Sequence, residues 1–190
     1  MNLILASKSP RRQELLGLFG LSFTVQAADV DETMDPCLSP ARAVGEVSAR
    51  KALAIPDHNA LILAADTIVV CDGQILGKPQ TEADARRMLN LLSGRDHQVI
   101  TGVTLRRGQR LLTQTETTRV WFRELSQAEI AAYIASGEPM DKAGAYGIQG
   151  RASVFIPRID GDYFNVMGLP LCRLDQMLRA FDGALLGGDL

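Results

Sequence analysis

Nothing in the 190-residue sequence approaches the ~20 consecutive apolar residues of a membrane span. The most apolar stretch, Ala60 to Val70, is interrupted by Asp66. The opening apolar run stops after Ala6, so no secretory leader is expected and the cytoplasm is the expected location. Cysteine is scarce: Cys37, Cys71 and Cys172 are odd in number and far apart, which argues against a disulfide framework or a zinc site and for buried thiols. His58 and His97 are the two histidines, and neither has a partner at ligand or triad spacing. A surplus of positive charge is also missing. Lys and Arg total 20 against 22 Asp and Glu, a formal net charge of -2, which disfavours a broad nucleic-acid-binding surface and leaves room for a local basic cleft. With 46% hydrophobic and 22% charged residues, no internal repeat and no low-complexity linker, the chain reads as one globular domain over 1–182 with a flexible tail at 183–190.

What is present begins at the N-terminus. Leu3 to Ala6 has strand character, Ser7-Lys8-Ser9 is a small polar turn, and Pro10 opens a helix with Ser9 at its N-cap. Leu15, Leu16, Leu18 and Phe19 supply that helix with an apolar face, and Gly20 stops it. Arg11 and Arg12 sit in its first turn, where cations are disfavoured by the helix dipole. Two guanidinium forks beside the backbone N–H groups of a strand-to-helix turn describe a site for a polyphosphate; the alternative is a solvated pair of arginines.

Leu21 to Val25 alternates like a second strand and is followed by Asp29, Asp31 and Glu32, which are either loop chemistry or ligands for a divalent metal. Ser39-Pro40 opens a helix to about Ala54, and Lys51 falls on its apolar stripe with Val44, Val47 and Ile55. That lysine either snorkels outward or aims a cation into a cleft. Asp66 is harder to dismiss. A carboxylate inside a strand costs several kcal/mol unless it is paired or binds metal, so Asp66 is expected at a cleft. The Asp72-Gly73 turn returns a strand, Gln74 to Gly77, which is expected to bring Lys78 opposite Asp66.

Thr81-Glu82-Ala83-Asp84 and Ser126-Gln127-Ala128-Glu129 are capping boxes that open two scaffold helices, and His97 to Leu105 and Arg110 to Phe122 read as long strands joined near Gly108. Asp141 to Gly150 holds three glycines in seven residues; Tyr146 and Gln149 offer a ring and an amide, the makings of a base-recognition loop or of an ordinary flexible one. It lacks the phosphate-loop spacing. Ala152 to Met167 reads as a hairpin turning at Asp160-Gly161, and Pro170 opens a last helix carrying Leu171, Leu174, Leu178 and Phe181.

Taken together, Ser7-Lys8-Ser9-Pro10-Arg11-Arg12, Asp31-Glu32, Lys51, Ala65-Asp66-Thr67, Gly77-Lys78-Pro79 and Lys142 to Gly150 closely resemble, in order and spacing, the Maf family of nucleoside triphosphate pyrophosphatases, once called septum-formation proteins. The resemblance runs from Leu3 to the last helix, and the Tyr146-Gly147-Ile148-Gln149-Gly150 form is similar to the dTTP/UTP subgroup rather than the 7-methyl-GTP subgroup. It implies an α/β fold with a mixed central sheet flanked by helices and two lobes around a deep cleft. It further implies a homodimer that hydrolyses dTTP and UTP, or modified pyrimidine nucleotides, to the monophosphate and pyrophosphate with a divalent metal, Mg²⁺ or else Mn²⁺ or Co²⁺. Carried onto this chain, it makes Asp66 the general base, Glu32 and Asp66 the metal ligands, and Ser7, Arg11, Arg12, Lys51, Thr67, Lys78 and Gln149 the substrate-binding residues. Arg11, Thr67 and Gln149 then fall at positions that tune base choice. A non-catalytic nucleotide-binding regulator of cell division and a nucleic-acid-binding module are the alternatives. A regulator needs the cations but no water-activating carboxylate, so Asp66 favours an enzyme.

Overall fold

The computed structural model describes residues 2–27 and 29–187. The apolar run becomes strand β1 (Leu3–Leu5), hydrogen-bonded in parallel to β2 (Phe23–Val25) on one side and β3 (Leu61–Cys71) on the other. Strand β4 (Gln74–Leu76) returns antiparallel on β3 through the Asp72-Gly73 turn, both residues at positive φ. Two long strands follow, β5 (Asp96–Arg107) and β6 (Arg110–Trp121), and β7 (Arg158–Asp160) pairs antiparallel with β6. The order across the mixed seven-stranded sheet is β2-β1-β3-β5-β6-β7, with β4 on β3.

The chain divides into two compact units. The first comprises Met1–Asp66, Thr101–Glu116 and Gly168–Leu190, and the second Thr67–Ile100 and Thr117–Met167. In the first unit, α1 (Pro10–Gly17) follows β1, α2 (Pro40–Leu53) precedes β3, and α6 (Leu171–Leu178) is the last α-helix. Ile4, Ala6, Ala52, Ile55, Ala60, Ile62 and Ala64 form a buried apolar cluster here. Small residues let α2 lie hard against β5. A Cβ on Gly102 would fall 2.7 Å from the Val44 carbonyl oxygen and 2.9 Å from Gly45 Cα. One turn further along α2, the buried Ser48 hydroxyl bonds Thr104 at 2.7 Å, and Thr104 bonds Thr113 at 2.9 Å.

In the second unit, α3 (Glu82–Leu92) buries Ala85, Met88, Leu89 and Leu92, the stripe its periodicity predicts. Helix α4 (Gln127–Ala135) starts on a complete Ser126–Glu129 capping box. His97, Phe122, Tyr146, Tyr133 and Phe155 pack edge to face in the core between these elements.

Several expectations are corrected. Ala152 to Met167 is not a hairpin: residues Arg151–Phe155 form a 3₁₀ turn, β7 pairs with β6 instead, and Tyr163–Met167 is a short helix, α5. The Asp162 carboxylate accepts from the Phe164 and Asn165 N–H groups at 2.7 and 3.2 Å, an N-cap that outweighs the strand character of the apolar residues following it. Ser9 occupies the N-cap of α1 without a side-chain capping bond, and Leu18 is exposed. Of the expected tail 183–190, residues 188–190 lie outside the described residues, while Leu185 is buried and its N–H donates to Asp175 at 2.8 Å.

Candidate active site

Six of the expected site residues belong to the first unit, within its opening segment: Ser7, Arg11, Arg12, Glu32, Lys51 and Asp66. Asp66 is the last residue of that segment, halfway along β3. Lys51, on the last turn of α2, reaches it: Nζ lies 2.6 Å from Asp66 Oδ1 and 2.7 Å from Glu32 Oε1. The Lys51 and Asp66 side chains retain 12% and 13% of their exposure against 57% for Glu32, so the pair sits largely out of water with an open side at Glu32. The ammonium that Asp66 meets within this unit is Lys51.

Glu32 owes its position to a residue that sequence reasoning missed. Arg50 donates to the Asp31 carbonyl at 2.5 Å and the Thr33 carbonyl at 2.7 Å, clasping the loop on both sides of Glu32. No spacing rule links a helical arginine to carbonyls on a preceding loop, although its adjacency to Lys51 placed it near the site.

Arg12 is buried and acts differently from a solvated arginine. Its Nε donates to the Gly168 carbonyl at 2.7 Å, and one terminal nitrogen donates to Ser7 Oγ at 3.0 Å and the Ala65 carbonyl at 2.8 Å. The guanidinium thus ties α1 to the turn before it and to the peptide preceding Asp66. Burial lowers its pKa, while Asp66 and Glu32 act in the opposite sense. Ser7 is buried and accepts the Ser9 N–H at 3.3 Å, shaping the turn. Arg11, beside it, is half-buried.

Thr67, Lys78 and Gln149 belong to the second unit. Thr67 follows Asp66 on β3 and is half-buried, and Lys78 is exposed just beyond β4. The Gly144 N–H donates to the Gly77 carbonyl at 3.0 Å, joining the glycine-rich loop to the residue before Lys78. Gln149 is exposed in a turn closed by the Gly150 N–H on the Gly147 carbonyl at 3.1 Å.

The glycines of this loop, read as room for a ligand, are occupied by the protein itself. A Cβ would fall 2.8 Å from Val69 Cγ2 at Gly144, 2.6 Å from Lys142 Cε at Gly147 and 2.0 Å from Glu138 Oε1 at Gly150. Tyr146, read as a ring for a base, is instead in the core: it is buried, and its hydroxyl bonds His97 Nε2 at 2.7 Å. Gln149, by contrast, is exposed to solvent.

The arrangement offers two carboxylates converging on the Lys51 ammonium, with the buried Arg12 on the peptide before Asp66 and Arg50 on the loop that carries Glu32. Among the described residues, no group of three or more His, Cys, Asp or Glu is placed to hold a metal. Glu32 and Asp66 supply two hard oxygen donors, the usual protein share of a Mg²⁺ shell that substrate phosphates complete.

The sequence model of the Maf-like protein family matches residues 2–181. The chain is 55% identical over 181 residues to a dTTP/UTP pyrophosphatase of Symbiobacterium thermophilum, covering 94% of this chain and 93% of that protein. It is 53% identical over 175 residues to a dTTP/UTP pyrophosphatase of Geobacillus sp., covering 90% and 93% respectively. Among solved structures, a HAM1 protein from Coxiella burnetii aligns over 95% of this chain and 99% of its own with a TM-score of 0.52 at 13% identity, a likeness of fold alone.

Proposed function

Because the chain belongs to the Maf-like protein family, we propose that it is a nucleoside triphosphate pyrophosphatase, hydrolysing dTTP and UTP to the nucleoside monophosphate and pyrophosphate. The observation that supports this chemistry most directly is Asp66 held at 2.6 Å by Lys51 inside a strand, with Glu32 on the same ammonium. Water attacks the α-phosphorus, its proton passes to Asp66 Oδ, and the bond to the bridging oxygen breaks to release pyrophosphate. Lys51 counters the charge of Asp66 and, with Arg11 and Lys78, that of the polyphosphate. Arg12 holds the Ser7 turn and the Ala65 peptide in place.

Pyrophosphatases of this family are generally metal-dependent. Glu32 and Asp66 would hold the cation, Mg²⁺ or in its place Mn²⁺ or Co²⁺, and it would supply positive charge to the oxygens of the triphosphate. Base choice is assigned to Arg11, Thr67 and Gln149. Uracil and thymine present carbonyl acceptors and an N–H donor, and the Gln149 amide offers the complement of both. A cytoplasmic homodimer completes the proposal. Among the described residues no helix is long and apolar enough to cross a membrane.

The test is pyrophosphate release from a panel of nucleoside triphosphates, with and without Mg²⁺. Metal-dependent release that favours dTTP and UTP supports the reading. Binding of nucleotides without release would leave a non-catalytic regulator, and equal rates on all common triphosphates would remove the pyrimidine assignment.

A further inference from the structure

The turn that presents Gln149 is held on both flanks by one carboxylate. Glu138 lies just past α4, at the head of the 3₁₀ turn Glu138–Asp141. Its Oε1 accepts the Tyr133 hydroxyl at 3.0 Å, and its Oε2 accepts the Arg151 N–H at 3.0 Å. While donating to Glu138, the Tyr133 hydroxyl accepts the Gly147 N–H at 3.3 Å. Gly147 and Arg151 stand two residues before and after Gln149, so a single Tyr133–Glu138 pair ties down the backbone on either side of it.

The glycines bear this out. Gly150 has φ -95°, a conformation open to any residue, so its backbone does not demand glycine. What a Cβ there would meet is the Glu138 carboxylate, whose Oε1 would lie 2.0 Å away and would have to leave its hydrogen bonds to make room. A Cβ at Gly147 would likewise meet the Lys142 side chain, whose Cε lies 2.6 Å from it. Lys142 in turn donates to the Glu138 carbonyl at 2.7 Å and to Asp141 Oδ1 at 2.6 Å. The turn is built around the carboxylate.

We infer that Glu138, acting through Tyr133 and the Arg151 N–H, is a positioning residue for base selection, fixing the 147–151 turn so that the Gln149 amide meets the pyrimidine in one orientation. This rests on the reading of Gln149 as the base-recognising group. Discrimination between uracil and cytosine depends on the wrong base leaving polar groups unpaired. An amide on a loose turn relocates and softens that penalty, whereas one on a pinned turn pays it in full.

Three variants test this: Glu138→Gln, Tyr133→Phe and Gln149→Ala. An amide at 138 has one acceptor oxygen for the two donors that the carboxylate now serves, and Phe at 133 removes one hydroxyl. In both, the ratio of kcat/KM for UTP to that for CTP falls by about tenfold or more while CTP turnover is kept, since the hydrogen bonds that reject the wrong base are weakened when the amide is no longer held in one orientation. Amide hydrogen exchange across 147–151 speeds up by about tenfold or more in the same two variants, reporting a locally opened segment. Gln149→Ala lowers the ratio without speeding that exchange. A ratio unchanged in Glu138→Gln and Tyr133→Phe but collapsed in Gln149→Ala overturns the positioning role alone, as does unchanged exchange. A ratio unchanged in Gln149→Ala overturns the reading of Gln149 and the specificity role with it. If Glu138→Gln fails to fold, Tyr133→Phe decides by the same two measurements.

Discussion

Lys51 and Asp66 meet at 2.6 Å although one ends a helix and the other interrupts an apolar strand. Each side chain is nearly seven-eighths out of water, and breaking such a pair by removing one partner costs about 3–5 kcal/mol when the other is left charged and unpaired. Asp66→Asn avoids most of that loss, since an amide still accepts from the ammonium, while it cannot take a proton from water. The variant is expected to fold, with a circular dichroism spectrum and melting temperature near those of the parent, and to lose at least the ~10²-fold in kcat of a missing general base. Near-normal turnover would take Asp66 out of the mechanism. Lys51→Met, which takes the ammonium away from the largely buried Asp66, is expected to lose both stability and activity.

Arg11 and Arg12 are neighbours with different tasks, and their alanine variants should part accordingly. Arg12→Ala removes the guanidinium that donates to the Gly168 and Ala65 carbonyls, and leaves Ser7 Oγ with the Ser9 N–H. Each buried group left unsatisfied costs about 1–3 kcal/mol, so urea unfolding should show a loss of several kcal/mol together with lost turnover. Arg11→Ala should weaken kcat/KM for the triphosphate, by a few kcal/mol of transition-state stabilisation if the guanidinium contacts phosphate. Unchanged kcat/KM in Arg11→Ala would return that residue to a solvated helix start.

Elements whose signals are local were legible in the sequence. Pro10 and Pro40 at first helical positions, the Thr81 and Ser126 caps and the Asp72-Gly73 turn all act within a few residues, and each element forms where they place it. The α5 segment was misread because one capping carboxylate, Asp162, outweighed several apolar residues. The task of Arg12 was illegible for another reason: its acceptor, the Gly168 carbonyl, lies 156 residues away. Likewise Tyr146 looked like a ligand-facing ring until His97, distant in sequence, claimed its hydroxyl. The Lys51–Asp66 pairing was half visible. The cost of a carboxylate in a strand demanded a partner, while Lys51 on its apolar stripe could equally have snorkelled outward.

His97 gives a pH dependence. Its burial beside Phe122 and Tyr146 lowers its pKa from 6.5 to about 4, with Asp96 opposing. The unfolded chain therefore binds a proton at higher pH than the folded one, and stability rises with pH across that interval. The contribution is complete above pH ~6.5 and is lost as pH falls towards ~4, amounting to about 3 kcal/mol at 1.36 kcal/mol per unit. His97→Gln keeps a polar partner for Tyr146 but does not titrate. The stability difference between parent and variant in urea should shrink by that amount between neutral pH and pH ~4, and a constant difference would show that His97 is not the titrating group.

Gly102 tests whether the contact between α2 and β5 sets the position of Lys51. The atoms a new methyl would strike, the Val44 carbonyl oxygen at 2.7 Å and Gly45 Cα at 2.9 Å, are backbone and cannot swing aside, so Gly102→Ala must push the helix away from the strand. The 2.7 Å Ser48–Thr104 hydrogen bond, one helical turn on, is the next to stretch. Lys51 is three residues beyond Ser48 and moves with it, opening the 2.6 Å contact to Asp66. Overpacking of this kind costs about 1–3 kcal/mol, and displacing a charge that faces the reacting groups costs on the order of a hundredfold in turnover when the shift nears 1 Å. Gly17→Ala is the matched control, because a Cβ there meets nothing within 4 Å and alanine is favoured over glycine in a helix by about 1 kcal/mol. Melting curves and kcat/KM for UTP should therefore separate the two variants, with Gly102→Ala losing both and Gly17→Ala losing neither. Full activity in a destabilised Gly102→Ala protein would show that Lys51 holds its place without the helix-to-strand contact.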